Sequence, residues 1–201
     1  MRNFIDELGI NGHLTIIKRD NNGKEEVIFD DHNIIVSGMG VGLSYLFTAS
    51  GSTSIIDYQI DRFQLGVSGG TVNEVSSTYN LSSPLVLADY GSESQIFLKT
   101  ATQIEDGVDQ TGKAFALIPA HKVTKINDTS VRYTLVVDEE TANGLTGGAG
   151  EEVSLSEIGL FMKNPTGRSG TEASILVAYR AFSKIVKTSD FSLIFRWTVN
   201  F

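Results

Sequence analysis

The sequence predicts an all-β fold, mainly an antiparallel β-sandwich, with one short α-helix around residues 38–49. Three observations support this fold class. Apolar and polar residues alternate along several segments, as they do on half-buried strands. Turn-forming stretches rich in Gly, Ser, Thr and Asn separate these segments, and the chain holds 20 glycines. A single sizeable segment places its apolar residues at helical spacing.

The clearest predicted strand lies at the end of the sequence. Phe195 and Trp197 belong to an alternating apolar set that runs from Phe191 to Phe201. Similar alternation predicts strands at 131–137, at 153–161 and at 175–179. We expect the last strand and the segment Glu157 to Phe161, which includes Gly159, to hold the fold together. A buried Glu157 would need a partner, for which Arg196 or Arg180 is the expected choice.

Residues 10–35 resemble a β-hairpin. Leu14 and Ile16 alternate with polar residues, Asp20 to Gly23 supply turn residues, and Val27 and Phe29 follow on the returning strand. We assign residues 1–201 to a single β-sandwich domain and regard the hairpin as a candidate assembly arm appended to it.

The predicted helix begins after Ser37, which can act as an N-cap, and ends before Gly51. Its apolar residues recur with helical periodicity: Met39, Leu43, Leu46 and Phe47. The three glycines at 38, 40 and 42 weaken the helix by roughly 1 kcal/mol each relative to alanine.

Composition excludes several function classes. The chain has 201 residues, a formal net charge of −8 and no cysteine. Disulfides, cysteine-ligated zinc, iron–sulfur clusters and thiol nucleophiles are therefore excluded. The acidic balance argues against nucleic-acid binding. The longest clean apolar run, Ile175 to Tyr179, is far shorter than the roughly 20 residues of a membrane span. We expect no nucleic-acid partner, no membrane partner and no cofactor.

Two glycine-rich motifs match enzyme signatures only in part. The glycines at 38, 40 and 42 lack the spacing and the βαβ context of a dinucleotide-binding loop. Gly66 to Gly70 formally matches the G-x-S-x-G motif of serine hydrolases, with His121 as a conceivable base. However, no helical apolar pattern follows Ser68, as a hydrolase elbow requires. We therefore predict that the chain is not an enzyme.

The residues that could bind metal are also poorly spaced. No two of His13, His32 and His121 have metal-ligand spacing. Adjacent acidic residues such as Glu139 and Glu140 point to opposite faces of a strand and do not build one site. We predict no metal site, although weak calcium binding in a loop stays open.

The last third of the chain resembles a known class of protein. Glu157-Ile158-Gly159-Leu160-Phe161 is followed by Leu176-Val177-Ala178 and by the alternating final strand. Asn33-Ile34-Ile35, a glycine, a helix and Phe63-Gln64-Leu65-Gly66 precede them. Together these blocks are similar to the tail-fibre attachment and related small tail-associated structural proteins of tailed bacteriophages.

The resemblance implies a non-catalytic virion subunit of the tail, baseplate, neck or fibre attachment. Such a subunit is made in the host cytoplasm, is located in the virion and binds other virion proteins in symmetric copies, so we expect a homo-oligomer. Capsid decoration is the alternative within this class. A carbohydrate-binding or adhesive β-sandwich is the alternative from another class, with Tyr58, Tyr79 and Tyr90 as its candidate stacking residues.

Two loops are the predicted interfaces because long loops without an evident role in a monomer are often functional. Their glycine-rich composition suits segments that become ordered against a neighbouring subunit. The predicted interface residues are Ser68, Gly69, Gly70 and Thr71 in the first loop, and Asn143, Gly144, Gly147 and Gly148 in the second.

Overall fold

The computed structural model describes residues 9–48, 59–66, 116–139, 143, 154–163 and 174–201. These residues form nine β-strands and one α-helix, and a short 3-10 turn, Ala120–Lys122, precedes the fifth strand. The elements in chain order are β1 (Asn11–Asp20), β2 (Glu25–Ile35), α1 (Ser37–Thr48), β3 (Ile60–Gly66), β4 (Ala116–Leu117), β5 (Val123–Asn127), β6 (Ser130–Val137), β7 (Leu155–Lys163), β8 (Ser174–Ile185) and β9 (Phe191–Asn200).

The predicted fold class is confirmed: the molecule is mostly antiparallel β-structure with one short helix. The strands form one sheet in the order β4-β3-β7-β8-β2-β1-β9-β6-β5. This sheet curls into a half-barrel, so its two halves face each other as the layers of a sandwich do. The helix begins one residue earlier than the sequence predicts, and its described residues are Ser37–Thr48.

Strand β2 connects the two halves of the sheet. It pairs with β1 along almost its whole length, from Arg19–Glu25 to Gly12–Asn33. With β8 it pairs only at Ile34–Tyr179 and Ile35–Ala178. The predicted hairpin is therefore part of the sheet, because β1 also pairs with β9 over ten consecutive residues. Its role as an assembly arm stays a prediction.

The hairpin turn shows why the chain reverses its direction at residues 20–24. The Asp20 side chain accepts hydrogen bonds from the backbone N–H groups of Asn22 and Lys24, both at 2.9 Å. Gly23 has a φ of +82°, a conformation that residues with a Cβ rarely adopt. The turn chemistry therefore fixes the β1–β2 register.

Aromatic side chains fill the space between the facing halves. Trp197 of β9 is fully buried, and its ring centroid lies 6.3 Å from that of Phe63 on β3. Phe195 lies 6.1 Å from Phe182 of β8 by the same measure. These contacts join strands that are far apart in the sheet order, so they hold the two halves of the curled sheet together.

The helix packs closely over the sheet. A Cβ atom added at Gly42 would collide with the thioether end of Met162 on β7. Met39, one turn earlier, is buried in the main core. The glycines that weaken α1 as an isolated helix thus allow its backbone to approach the sheet.

Candidate interaction surface

The outward face of β7 and β8 contains a buried polar pair. Gly159 lies opposite Tyr179 in the strand register, so the tyrosine ring has room to extend across the neighbouring strand. Its hydroxyl donates a 2.6 Å hydrogen bond to Oε2 of Glu157, which is fully buried. Oε2 of Glu157 therefore accepts a hydrogen bond from the phenolic hydroxyl of Tyr179 and is satisfied within the sheet.

The sequence-based choice of partner for Glu157 was wrong. Arg180 instead forms an ion pair with Asp31 of β2 and lies over the Phe29 ring, 5.3 Å from its centroid. Adjacent residues of a strand point to opposite faces, so Tyr179 reaches Glu157 and Arg180 does not. Arg196 is placed on β9, where it pairs in register with Thr15 and Thr134.

The other predicted structural residues lie in two apolar clusters. Phe161 packs with Leu176 and Tyr179 in a small cluster of its own. Phe195 and Trp197 belong to the main core. The segment Glu157 to Phe161 therefore contributes to both faces of the sheet, because Ile158 and Leu160 are also in the main core.

Asn143 is the one predicted interface residue that the structure describes. Its side-chain amide donates to the Glu139 carbonyl at 2.6 Å, and its Oδ1 accepts from Lys187 Nζ at 2.9 Å. Asn143 thus links the backbone at Glu139 to the side chain of Lys187. The remaining predicted interface residues lie outside the described residues: Ser68, Gly69, Gly70, Thr71, Gly144, Gly147 and Gly148. The same holds for Tyr58, Tyr79 and Tyr90.

Lys187 is buried and hydrogen-bonded. Besides Asn143, its ammonium donates to the Thr188 carbonyl at 2.7 Å and lies 5.2 Å from the Phe191 ring centroid. Burial lowers the pKa of Lys187 to about 8, although the carboxylates of Asp138, Glu139 and Asp190 oppose this shift.

The histidines of the hairpin lie on its exposed face. His13 and His32 are cross-strand neighbours, with ring centroids 5.4 Å apart. Asp30 Oδ1 is 2.8 Å from His13 Nε2 and accepts a 2.7 Å bond from the Thr15 hydroxyl. These bonds, chiefly that of Thr15, hold the pKa of Asp30 below its ordinary value. In the described parts of the chain, no three His, Asp or Glu side chains are grouped to hold a metal ion.

Strands β2 and β8 diverge beyond their two paired residues. The returning strand of the hairpin is exposed there, with Val27 at 58% and Ile28 at 37% of full accessibility. On the β8 side, Val186 is also exposed. A cleft of about 320 Å³ lies between them, floored by Phe29, Phe182 and Phe191. This part of β2 is an open strand edge with apolar side chains.

A larger cleft, of about 550 Å³, opens between α1 and the strands β3, β5, β6 and β7. Among the described residues that line it, none has a charged side chain. The apolar wall is formed chiefly by Met39, Leu43, Leu46, Val123, Val131 and Met162. A cleft of this size and lining suits an apolar occupant.

Tyr133 of β6 is the main polar group of this cleft. It is 7% exposed, and its hydroxyl forms no hydrogen bond with any residue that the structure describes. Burial raises the pKa of Tyr133 to about 12. The buried indole N–H of its cross-strand neighbour Trp197 has no hydrogen-bond partner among the described residues. The Tyr133 hydroxyl is not fully buried in the same way, so it is open to the cleft.

An exposed phenylalanine stands at the rim of the cleft. Phe47 is 82% exposed and lies four residues after Leu43, so it is on the neighbouring turn of the same helix face. The sequence pattern predicts this helix and its apolar stripe. It does not predict the cleft, because the lining comes from five elements whose proximity depends on the curl of the sheet.

Comparison with known proteins found no matching family model, curated protein or solved structure. The search for membrane-crossing segments, made over the described residues, found no helix with the length and apolarity that a span needs.

Proposed function

We propose that this chain is a non-catalytic structural subunit of a tailed-phage virion, in the tail, baseplate, neck or fibre attachment, that binds other virion proteins in symmetric copies. The proposal rests on the resemblance carried by Glu157 to Phe161 and the final strand. The resemblance is of short motifs, and the surface of the molecule provides an independent physical argument.

The observation that carries the proposal is the amount of apolar surface left open by a well-packed fold. The exposed edge of β2 presents Val27 and Ile28, and the end of α1 presents Phe47. Proteins that function alone usually protect strand edges and avoid such patches. A subunit that is covered by neighbours in its working state has no such constraint.

The buried polar groups support a structural role. Glu157 is bonded to Tyr179 within the sheet, and Lys187 is bonded to Asn143 and Thr188. Both arrangements fix the backbone and leave little freedom to exchange protons with a substrate. A β-sheet held together in this way suits a subunit that keeps its neighbours in fixed positions.

The proposal is tested on purified phage particles from the source of the sequence. An antibody against the recombinant chain, detected with gold in the electron microscope, should label one fixed position on every particle. Pre-immune serum is the control. Unlabelled particles, with the chain recovered only from the soluble fraction of infected cells, would contradict the proposal. Binding to immobilised glycans in that case would favour the carbohydrate-binding alternative.

A further inference from the structure

Two arginines of the sheet differ from the other arginines that the structure describes. Three of the five described arginines are paired with a carboxylate of the chain: Arg19 with Glu25, Arg62 with Asp61, and Arg180 with Asp31. The other two are Arg132 of β6 and Arg196 of β9, and neither forms an ion pair with a described residue. Arginine stays charged at any physiological pH, so both positive charges lack a counter-charge within this part of the chain.

These two arginines are neighbours on the outer face of the sheet. In the β6–β9 register, Arg132 lies opposite Thr198 and Thr134 lies opposite Arg196, so the four side chains share one face. Trp197, between Arg196 and Thr198, points into the core, so the shared face is the outer one. We call it the arginine face and define it by Arg132, Thr134, Arg196 and Thr198. Diagonal cross-strand neighbours are typically about 7–8 Å apart, so the two long side chains can reach one ligand.

The acidic residue that the register places on this face is already engaged. Thr15 of β1 lies opposite Arg196, and Asp30 of β2 lies opposite Thr15, two strands away from the arginine. Asp30 Oδ1 is bonded to the Thr15 hydroxyl and to His13. Like charges on neighbouring strand positions are unfavourable, and both arginines are half-buried, which weakens their screening by water. An anion from outside the chain would therefore be favoured at the arginine face.

The size of the arginine face and the charge of the chain select the class of anion. Nucleic-acid sites commonly neutralise about 6–10 phosphates, and lipid-binding basic clusters hold about 4–8 Lys or Arg residues. The formal net charge of −8 also repels any extended polyanion, and it repels a second copy of the chain.

A short acidic protein segment needs only a few such contacts. The planar guanidinium group matches a carboxylate through two parallel hydrogen bonds. The hydroxyl of Thr198, which already accepts a 3.4 Å hydrogen bond from Arg132 Nε, can donate its own hydrogen to the same carboxylate. The four side chains of the arginine face therefore suit a carboxylate ligand.

We propose that the arginine face binds an acidic segment of a different virion protein, with the guanidinium groups of Arg132 and Arg196 paired to carboxylates of that segment. The inference rests on the proposed function, because a virion subunit has neighbouring proteins that can supply the segment. It names the chemistry of one contact: acidic side chains on the partner and arginines on this chain.

Fluorescence anisotropy of a labelled peptide of alternating glutamate and serine tests this site. We expect the full wild-type chain to bind the peptide, and Arg132→Gln or Arg196→Gln to weaken binding on the order of 10-fold. Arg19→Gln is the matched control, because it removes the same charge from the same face, where Glu25 already pairs with it. The control should change affinity by less than about twofold, since Arg19 lies beyond a Debye length from Arg196. A peptide with glutamine in place of glutamate should not bind.

A charge reversal separates binding from damage to the fold. The double variant Arg132→Glu, Arg196→Glu should lose the acidic peptide and gain binding to a peptide of alternating lysine and serine. An unfolded chain cannot produce this exchange of preference while its circular dichroism matches that of wild type. Sedimentation velocity of the wild-type chain and of the same double variant shows whether the arginine face instead joins two copies.

Four results would overturn the inference. These are a wild-type chain that does not bind the acidic peptide, an Arg19→Gln chain weakened as much as Arg196→Gln, a single-stranded DNA of equal charge that binds as tightly through the same arginines, or self-association that the double variant abolishes. The particle-labelling experiment is independent of these results. Labelled particles with a failed peptide test would remove the contact and keep the proposed function, whereas peptide binding with unlabelled particles would do the reverse.

Discussion

Tyr179 on β8 and Tyr133 on β6 are both buried tyrosines of one sheet, yet their hydroxyl groups differ in hydrogen bonding. Tyr179 donates a 2.6 Å hydrogen bond to Glu157, inside a cluster that also contains Phe161 and Leu176. Tyr133 faces an open cleft of about 550 Å³ and has no bonding partner among the described residues.

The difference separates two roles within the fold. The face of β7 and β8 around Tyr179 is complete within one chain, so its residues contribute to folding stability. The Tyr133 hydroxyl faces a cleft and has no hydrogen-bond partner among the described residues, so it should contribute little to folding stability. Removing the hydroxyl of Tyr179 should therefore lower the free energy of unfolding, whereas removing that of Tyr133 should leave it nearly unchanged.

The largest expected effect on stability is that of Glu157→Ala. Removing the buried carboxylate breaks the 2.6 Å hydrogen bond from Tyr179 and creates a cavity, for a loss of about 3 kcal/mol in the free energy of unfolding. Urea denaturation monitored by Trp197 fluorescence measures it. Glu157→Gln keeps an acceptor oxygen and should lose less. An alanine variant as stable as wild type would show that the pair contributes nothing.

Tyr179→Phe tests the same pair from its other side. It deletes only the hydroxyl that donates to Glu157, and hydrogen bonds to carboxylates contribute roughly 1.5–3 kcal/mol, so a loss of about 2 kcal/mol is expected. The urea midpoint should fall with an unchanged slope. A loss below about 0.5 kcal/mol, the range of a neutral surface substitution, would remove the distinction between the two tyrosines.

Lys187 gives a third case, a buried group that is hydrogen-bonded but whose charged form is disfavoured by burial. Its pKa is lowered to about 8 in the folded chain, so the unfolded chain binds more protons between that value and about 10.5. Stability should therefore rise with pH across this window. The gain of wild type relative to Lys187→Met should be about 1–2 kcal/mol between pH 7.5 and 10. A pH-independent difference would contradict the shift.

The smallest expected effect on stability is that of Tyr133→Phe. Its hydroxyl forms no hydrogen bond with the described residues, so its removal should change the free energy of unfolding by less than about 0.5 kcal/mol. The control is the Tyr179→Phe chain measured under the same conditions. A loss near 2 kcal/mol would show that the hydroxyl has a partner within the chain.

Much of the fold could be predicted from the sequence. The alternating residues of β9 and the helical spacing of Met39, Leu43 and Phe47 are local patterns, and each formed the expected element. The curl of the sheet is not local, because it depends on β2 pairing with β1 along its length and with β8 at only two residues. Alternation alone therefore predicts facing layers without showing that they belong to one sheet.

The candidate site was less predictable. The need of Glu157 for a partner follows from its position in an apolar strand, but the partner depends on the β7–β8 register that places Tyr179 opposite Gly159. The cleft requires the relative positions of α1 and four strands. The predicted interface loops lie mostly outside the described residues, so those predictions stay untested. The sequence pattern predicts the helix that carries Phe47, but it does not predict that this side chain is exposed.

The central claim is that the hydroxyl of Tyr179 has its hydrogen-bond partner within the chain, whereas that of Tyr133 has none among the described residues. Urea unfolding of the Tyr179→Phe and Tyr133→Phe chains, measured side by side with wild type, tests it most directly. We predict a loss of about 2 kcal/mol in the free energy of unfolding for Tyr179→Phe and of less than about 0.5 kcal/mol for Tyr133→Phe. Equal losses in the two variants would contradict the account.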